Sequence, residues 1–387
     1  MRLAVNAWFW NSPTTGTGQY TRRLVEGLAD LNDDLEIILV APSGGTMRGE
    51  ATSLPPMCIP HSVPCSPANL GKVWFEQAAF PAASRRVGAD IAHVPYWAPP
   101  MHSSIPVVVT IHDLIPLLLR HYRGGPLQRL YTSLVSATAR RSAMVLTDSK
   151  ASRRDIVDEL AVPAERVRAI PLATDARYSP RPAPDDAEAR SRYGLPKQYV
   201  LYLGGFDRRK NLGTVLAAYH RAEPTIGQDV SLVVAGRPPD EDTGFAPDPR
   251  RLAREEGLSE DLVHFSGFID EEDKPAVYRG AAVFIFPSRY EGFGLPPLEA
   301  LACGTPVVGS DAASLPEIVG DAGVLLPPDD VKGMADALVQ LALDDRLRAE
   351  MSRRAVEQAA KFSWRRTAEA TLAAYKEALG AAPINDD

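Results

Sequence analysis

The fold class this sequence predicts is a pair of doubly wound α/β domains in tandem, and three observations predict it. At 387 residues the chain exceeds what one hydrophobic core usually supports, so it should divide. Short β-rich runs alternate with longer helical patterns, the mark of βαβ units and a parallel sheet. The alternation pauses once, from Ala176 to Gln198, in a Pro-, Arg- and Asp-rich stretch that reads as an interdomain connection with one short helix.

The elements follow in order. "LAVNAW" is a first strand and "GQYTRRLVEGLADL" the helix after it; "EIILVAP", "VVVTIHDL" and "AMVLTDS" are further strands, the last feeding the helix "KASRRDIVDEL", with Ser149 as its cap. "IPVVVTI" and "AMVLTD" are nearly continuous apolar, as expected of strands covered on both faces. After the pause come "YVLYLGG", "VSLVVAG", "VHFSG", "AVFIFPS", "TPVVGS" and "GVLLPP", separated by helical patterns such as "NLGTVLAAYHRA". An amphipathic helix, Phe362 to Leu379, closes the series. The expected limits are 1–175 for the first domain, 176–198 for the connection, 199–361 for the second domain and 362–387 for the terminal helix. Two such domains facing across a cleft would gather ligands at the carboxyl ends of their strands.

Composition excludes several classes. A net charge of -7 and a pI near 5.6 argue against a nucleic-acid partner, which needs a basic footprint. Cys58, Cys65 and Cys303 are odd in number and lack metal-ligand spacing, which fits a reducing compartment and a cytoplasmic location. The N-terminus has no hydrophobic region of signal-peptide length, and no run approaches the roughly 20 apolar residues that span a bilayer. Membrane contact is therefore expected to be peripheral.

Four places carry candidate chemistry. In "LYLGGFDRRKNLGTVL" a strand ends in a Gly-Gly turn, and Arg208, Arg209 and Lys210 fall ahead of a helix beginning near Asn211. Cations beside the positive end of a helix make an anion site, phosphate above all; the alternative is a solvated charge run. In "FPSRYEGFGLPPLEALACG", Glu291 lies in a loop at a strand's carboxyl end and Glu299 in the first turn of a short helix, with Gly292, Gly294, Pro296 and Pro297 interrupting the periodicity between them. Gly292 and Gly294 let backbone N–H groups approach a ligand, and a carboxylate at Glu299 suits vicinal hydroxyls such as those of a ribose. Gly16 and Gly18 form a glycine turn between the first strand and helix, able to bring N–H groups to a phosphate. It is no dinucleotide fingerprint, because Thr21 stands at the third glycine position. His112 and Asp113 follow a buried strand and are placed either to line a cleft or to serve structure alone.

With these segments in order the chain resembles the retaining glycosyltransferases of family 4, whose GT-B fold has two Rossmann-like domains. The resemblance is carried by "GTGQYTRRL", "VTIHDLIPL", "LTDSKASRRDI", "YLGGFDRRKNL", "VVAGRPP", "VHFSGFI", "FSWRRTAEATLAAY" and, most specifically, the block from Phe286 to Asp330 with its Glu-x7-Glu element. It implies a nucleotide-sugar donor bound mainly by the second domain and an acceptor by the first. Glu299 would bind the donor ribose and Glu291 the donor sugar, on the face opposite the phosphate. Arg209 and Lys210 would hold the diphosphate, with N–H groups around Phe293, Gly294 and Leu295. Gly16 would approach the diphosphate, His112 the transferred sugar, and the backbone near Phe268 and Ile269 the base. The terminal helix would pack back on the first domain. Many relatives have an Arg after the glycine of the "YLG" strand; Gly205 occupies that donor-binding position here, so the phosphate charge falls to Arg209 and Lys210.

The resemblance further implies transfer with retention and without a divalent metal, and no Asp-x-Asp pair stands at a strand end. The "FDRRKN" form and "HDLIPL" loop look like bacterial mannosyltransferases of polysaccharide assembly, so GDP-mannose is the lead donor, a UDP-sugar the alternative, and a saccharide or lipid-linked saccharide the acceptor. A sugar-nucleotide epimerase, a phosphorylase or sugar-phosphate synthase, and a non-catalytic binding protein on the same fold are the rivals. Between Asp113 and Asp148 there is no acidic residue, while Arg120, Arg123, Arg129, Arg140 and Arg141 recur among aromatic and Leu residues, a pattern suited to an anionic membrane surface or a solvated helix face.

Overall fold

The computed structural model describes residues 1–12, 15–31, 34–43, 58–64, 69–227, 229–259 and 261–380; Cys65 lies outside them. The chain forms two compact units, 1–172 with 363–387, and 173–362. The first is built on seven parallel strands, β1 (Arg2–Asn6), β2 (Glu36–Ser43), β3 (Cys58–Pro64), β4 (Ile91–Val94), β5 (Val107–Thr110), β6 (Met144–Thr147) and β7 (Val167–Ala169), in the order β3-β2-β1-β4-β5-β6-β7. The second has six, β8 (Tyr199–Leu203), β9 (Ser231–Ala235), β10 (Val263–Gly267), β11 (Val283–Phe286), β12 (Val307–Ser310) and β13 (Gly323–Leu326), in the order β10-β9-β8-β11-β12-β13.

Helices cover both faces of the central strands, which is why those strands read as apolar runs. Every residue of β5, β6 and β8 is buried, and alternate residues of β8 enter opposite cores: Val200 and Tyr202 pack with Leu216, Leu232 and Leu338, whereas Tyr199 and Leu201 pack with Phe284, Phe286 and Leu301. In the first unit, Phe75, Phe80, Val109, Val145 and Ile156 share one core.

Sequence reading missed β3, β4 and β7. β3 is an edge strand carrying Pro60 and Pro64, β7 is three residues long, and the four-residue β4 contains His93. The stretch 176–198, expected as an interdomain connection with one short helix, falls within the second unit. Its helix, Asp186–Arg192, is anchored by the Asp186–Arg279 ion pair, and the Tyr193 hydroxyl donates to Asp273 at 2.7 Å. The terminal helix, Trp364–Gly380, falls in the first unit, where the Tyr375 hydroxyl meets His93 Nδ1 at 2.7 Å. Burial, and then the charge of His112, push the His93 ring down to about 3, so a neutral His93 links Tyr375 to Thr110 and thence to Tyr20.

Candidate functional site

In the second sheet the strand order reverses between β8 and β11, and such a switch point opens a crevice at the carboxyl ends of the two strands. Past β8 the chain makes one 3-10 turn, Arg208–Lys210, capped by the Asp207 carboxylate; Asn211, in the left-handed region at φ 57°, then swings it into the helix Leu212–Ile226. Past β11 it loops from Ser288 to Gly294 into the helix Leu295–Ala302. The Arg289 N–H donates to the Arg209 carbonyl at 2.8 Å and joins the two loops.

Glu291 is thereby set between two cations. Its Oε2 accepts from Arg209 Nη1 at 2.7 Å; its Oε1 accepts from Lys210 Nζ at 2.7 Å and from the Ser288 hydroxyl at 2.6 Å. All three charged side chains are nearly buried, and Lys210 Nζ also sits 5.0 Å from the centre of the Phe286 ring. Burial alone would raise the Glu291 pKa, but the charges of Lys210 and Arg209 outweigh it and hold the carboxyl below its ordinary range. The triad carries a net positive charge at a strand-end crevice, which suits a diphosphate.

Glu299 stands in the second helical turn, not the first as expected. The helix starts at Leu295 and accommodates Pro296 and Pro297 in its first turn, where a missing N–H forfeits no helical bond. Its Oε2 accepts from the Tyr278 hydroxyl at 2.9 Å, and burial raises its pKa against the charge of Lys274. Gly294 has φ +112°, and a Cβ there would lie 2.9 Å from Leu315, so the turn demands glycine. The Ser314 hydroxyl reaches the carbonyls of Glu291, at 2.9 Å, and Phe293, fixing the loop from beneath. Gly292 is buried, and Phe293 is buried against the Phe362 ring. Gly205 is exposed and its carbonyl accepts the Tyr202 hydroxyl. Phe268 is half exposed with the Arg237 guanidinium 5.3 Å from its ring centre, whereas the Ile269 side chain is buried in the core, leaving only its backbone for a ligand.

The first unit holds the remaining candidates. His112 Nδ1 meets Asp148 Oδ2 at 2.8 Å, Nε2 lies 3.3 Å from the Pro95 carbonyl, and Tyr20 packs edge-on at 4.8 Å. Burial lowers the ring's pKa, but Asp148 outweighs it and raises the net value. Asp113 Oδ1 accepts from the Ile115 N–H, a turn-stabilising role. Gly16 and Gly18 do not form a turn: both lie in the first turn of the helix Gly16–Ala29, whose cap is Thr15. Gly16 is exposed at its start. The Gly18 N–H donates to Thr15 Oγ1 at 3.1 Å, and a Cβ at Gly18 would strike the Ser12 carbonyl at 2.1 Å, so close packing by itself demands a glycine here.

Two family descriptions match: "Glycosyltransferase Family 4" over residues 14–178 and "Glycosyl transferases group 1" over residues 185–360. The O-antigen chain mannosyltransferase B of Escherichia coli is 34% identical over 270 residues, 70% of this chain and 70% of its own. The chain belongs to the family 4 glycosyltransferases. The MMP alpha-(1->4)-mannosyltransferase of Mycolicibacterium hassiacum is 29% identical over 98% of both chains. The serotype-specific mannosyltransferase WbdA of Escherichia coli is 30% identical over 81% of this chain, which spans 40% of that longer protein. Among solved structures, sucrose-phosphate synthase of Thermosynechococcus elongatus matches with TM-score 0.72 at 24% identity, covering 99% of this chain and 100% of the other. WaaG, a glycosyltransferase involved in lipopolysaccharide biosynthesis, matches at 0.66 and 17% over 96% and 98%. The two parallel-sheet units of this glycosyltransferase are those of the GT-B fold. Sequence reading had not singled out Ser288, Ser314 or Tyr278, which hold the two glutamates, nor Asp148 beside His112. Ser288 and Asp148 follow buried strands as His112 does, a signal available but shared with many structural residues.

Proposed function

We propose that this glycosyltransferase moves mannose from GDP-mannose to a saccharide or lipid-linked saccharide acceptor in polysaccharide assembly, with retention and without a divalent metal. The observation that carries the reading is the Arg209–Glu291–Lys210 triad at the β8/β11 switch point. A diphosphate departing there meets two fixed cations as its charge develops, and the carboxylate between them is placed for the hydroxyls of the donor sugar. Glu299 takes the ribose. The acceptor oxygen attacks the anomeric carbon as the bond to the diphosphate oxygen breaks, and the acceptor proton passes to that leaving oxygen on the same face. The mannosyltransferase relatives support the sugar; a UDP-hexose is the competing donor.

The test is to supply GDP-mannose and UDP-hexoses in turn, with and without EDTA, and to read nucleoside diphosphate release with and without oligomannoside acceptors. Release that requires acceptor, persists in EDTA and yields an α-linked product by NMR supports the reading. Turnover without acceptor into an epimerised sugar nucleotide overturns it. Covalent trapping of sugar on Glu291 by a slow fluorinated donor overturns same-face attack alone.

Peripheral contact with an anionic membrane belongs to the same proposal. The helix Pro126–Ala139 exposes Leu127 at 83% and Leu130 at 69%, with Arg123 and Arg129 exposed nearby, and no described helix is long and apolar enough to cross a membrane. Vesicles of anionic lipid are expected to sediment the protein at low salt and release it at high salt, and Leu127→Glu/Leu130→Glu to stay in solution; indifference to vesicles removes this contact.

A further inference from the structure

Asn211 follows directly on Lys210, and its buried side chain joins three strand-end loops of the second sheet. Its Nδ2 donates to the Pro287 carbonyl at 3.2 Å, just past β11, and to the Pro328 carbonyl at 2.7 Å, just past β13. Its Oδ1 accepts from Arg289 Nη2 at 3.0 Å, and the Arg289 guanidinium is in turn paired with Asp329. Two carbonyls on one side of the amide and a guanidinium on the other allow it a single orientation. Further bonds cross the same seam. The Arg209 carbonyl accepts the Arg289 N–H at 2.8 Å and the Ser288 hydroxyl at 3.2 Å, and the Ser310 hydroxyl, at the end of β12, donates to the Ser288 carbonyl.

Local conformation by itself does not call for this side chain. Residue 211 is left-handed, at φ 57° and ψ 41°, and glycine adopts that conformation at no steric cost. What asparagine adds is the amide, and the amide ties together the two halves of the ionic triad. The cations stand on the turn that Asn211 ends; Ser288 and Glu291 stand on the loop that follows Pro287. A diphosphate that draws on Arg209 and Lys210 weakens the bonds that join this turn to Glu291. The amide of Asn211, buried and bonded to main-chain carbonyls, keeps its partners while the cations change theirs.

We propose that Asn211 is a positioning residue of the transfer reaction: its amide holds the turn Arg208–Lys210 in register with the loops after β11 and β13, so that Arg209 and Lys210 stay aimed at the diphosphate as its bond to the sugar breaks. The proposal rests on the transferase reading above and adds a residue that touches neither donor nor acceptor. Preorganised charges act on a transition state only while their geometry is kept, and a misplacement of about 1 Å costs about 10²-fold in rate.

The test is calorimetry of GDP against GMP, and of UDP against UMP, with wild type, Asn211→Gly and Asn211→Asp. Glycine keeps the left-handed backbone and removes the amide. Aspartate tolerates the same backbone and keeps the acceptor for Arg289, but it has no hydrogens for the two carbonyls. The preference for diphosphate over monophosphate is expected to fall about tenfold in both variants, with monophosphate affinity unchanged and nucleotide release at saturating donor slowed about 10²-fold. This preference is a ratio within one folded population, so a variant that is merely less stable retains it. A preference retained in a folded variant, or monophosphate affinity lost along with it, overturns the positioning role. Failure of both variants to fold marks Asn211 as structural and overturns it as well. Wild type that prefers neither diphosphate strikes the diphosphate reading instead.

Discussion

Glu291 answers two cations at once, and that makes its substitution informative in two directions. Glu291→Gln leaves Arg209 and Lys210 facing each other without their shared anion. Breaking a buried charge network of this kind costs about 3–5 kcal/mol when one partner is deleted, so the variant is expected to unfold earlier. A diphosphate supplies the missing charge. The dissociation constant for nucleoside diphosphate in calorimetry is therefore expected to fall while turnover is lost; a rise in that constant would separate the cations from the diphosphate. Lys210→Ala removes a charge at the leaving group and is expected to lower kcat by about 10²–10³-fold. His112 gives a pH signature. Its folded pKa is raised, so the charged pair with Asp148 contributes fully below the unfolded value near 6.5 and fades as pH rises through the folded value. The Tm gap between wild type and Asp148→Asn is expected to be widest at about pH 6 and to narrow toward about pH 9; a gap that widens with pH contradicts the assignment.

Among the elements, the loop from Ser288 to Gly294 and the helix it enters decide where the carboxylates stand. Gly294→Ala forces a side chain into a left-handed conformation and against Leu315, and is expected to lower stability in urea by about 1–3 kcal/mol. No loss of stability would mean that the turn relaxes into another geometry. This turn was legible in the sequence, since Gly-Phe-Gly followed by Pro-Pro has few backbone solutions. The position of Glu299 within its helix was not, because a Pro-Pro pair reads equally well as a break before a helix and as its first turn. Buried strands β5, β6 and β8 were legible from continuous apolar runs, whereas β3, β4 and β7 were short, proline-bearing or at an edge, and carried no comparable pattern. Glycine spacing did not show that Gly18 must be small to let the Ser12 carbonyl pass.

For the whole molecule, binding of the right nucleotide is expected to appear as thermal stabilisation. Of GDP, UDP, dTDP and ADP, the one that matches the donor should add about 2.7 kcal/mol at 100 times its dissociation constant, with or without EDTA. No shift with any of them would detach the Arg209–Glu291–Lys210 site from nucleotide. Amino-acid order was enough to establish two parallel α/β domains and the strand ends from which chemistry projects, because apolar runs, helical periodicity and turn residues act over a few neighbouring positions. It was not enough to establish partnerships. Arg209 and Glu291 lie 82 residues apart, and Tyr375 and His93 lie 282 apart. Which side chains meet over such distances depends on strand order and on which faces the packed helices bury, and those are properties of the folded chain as a whole.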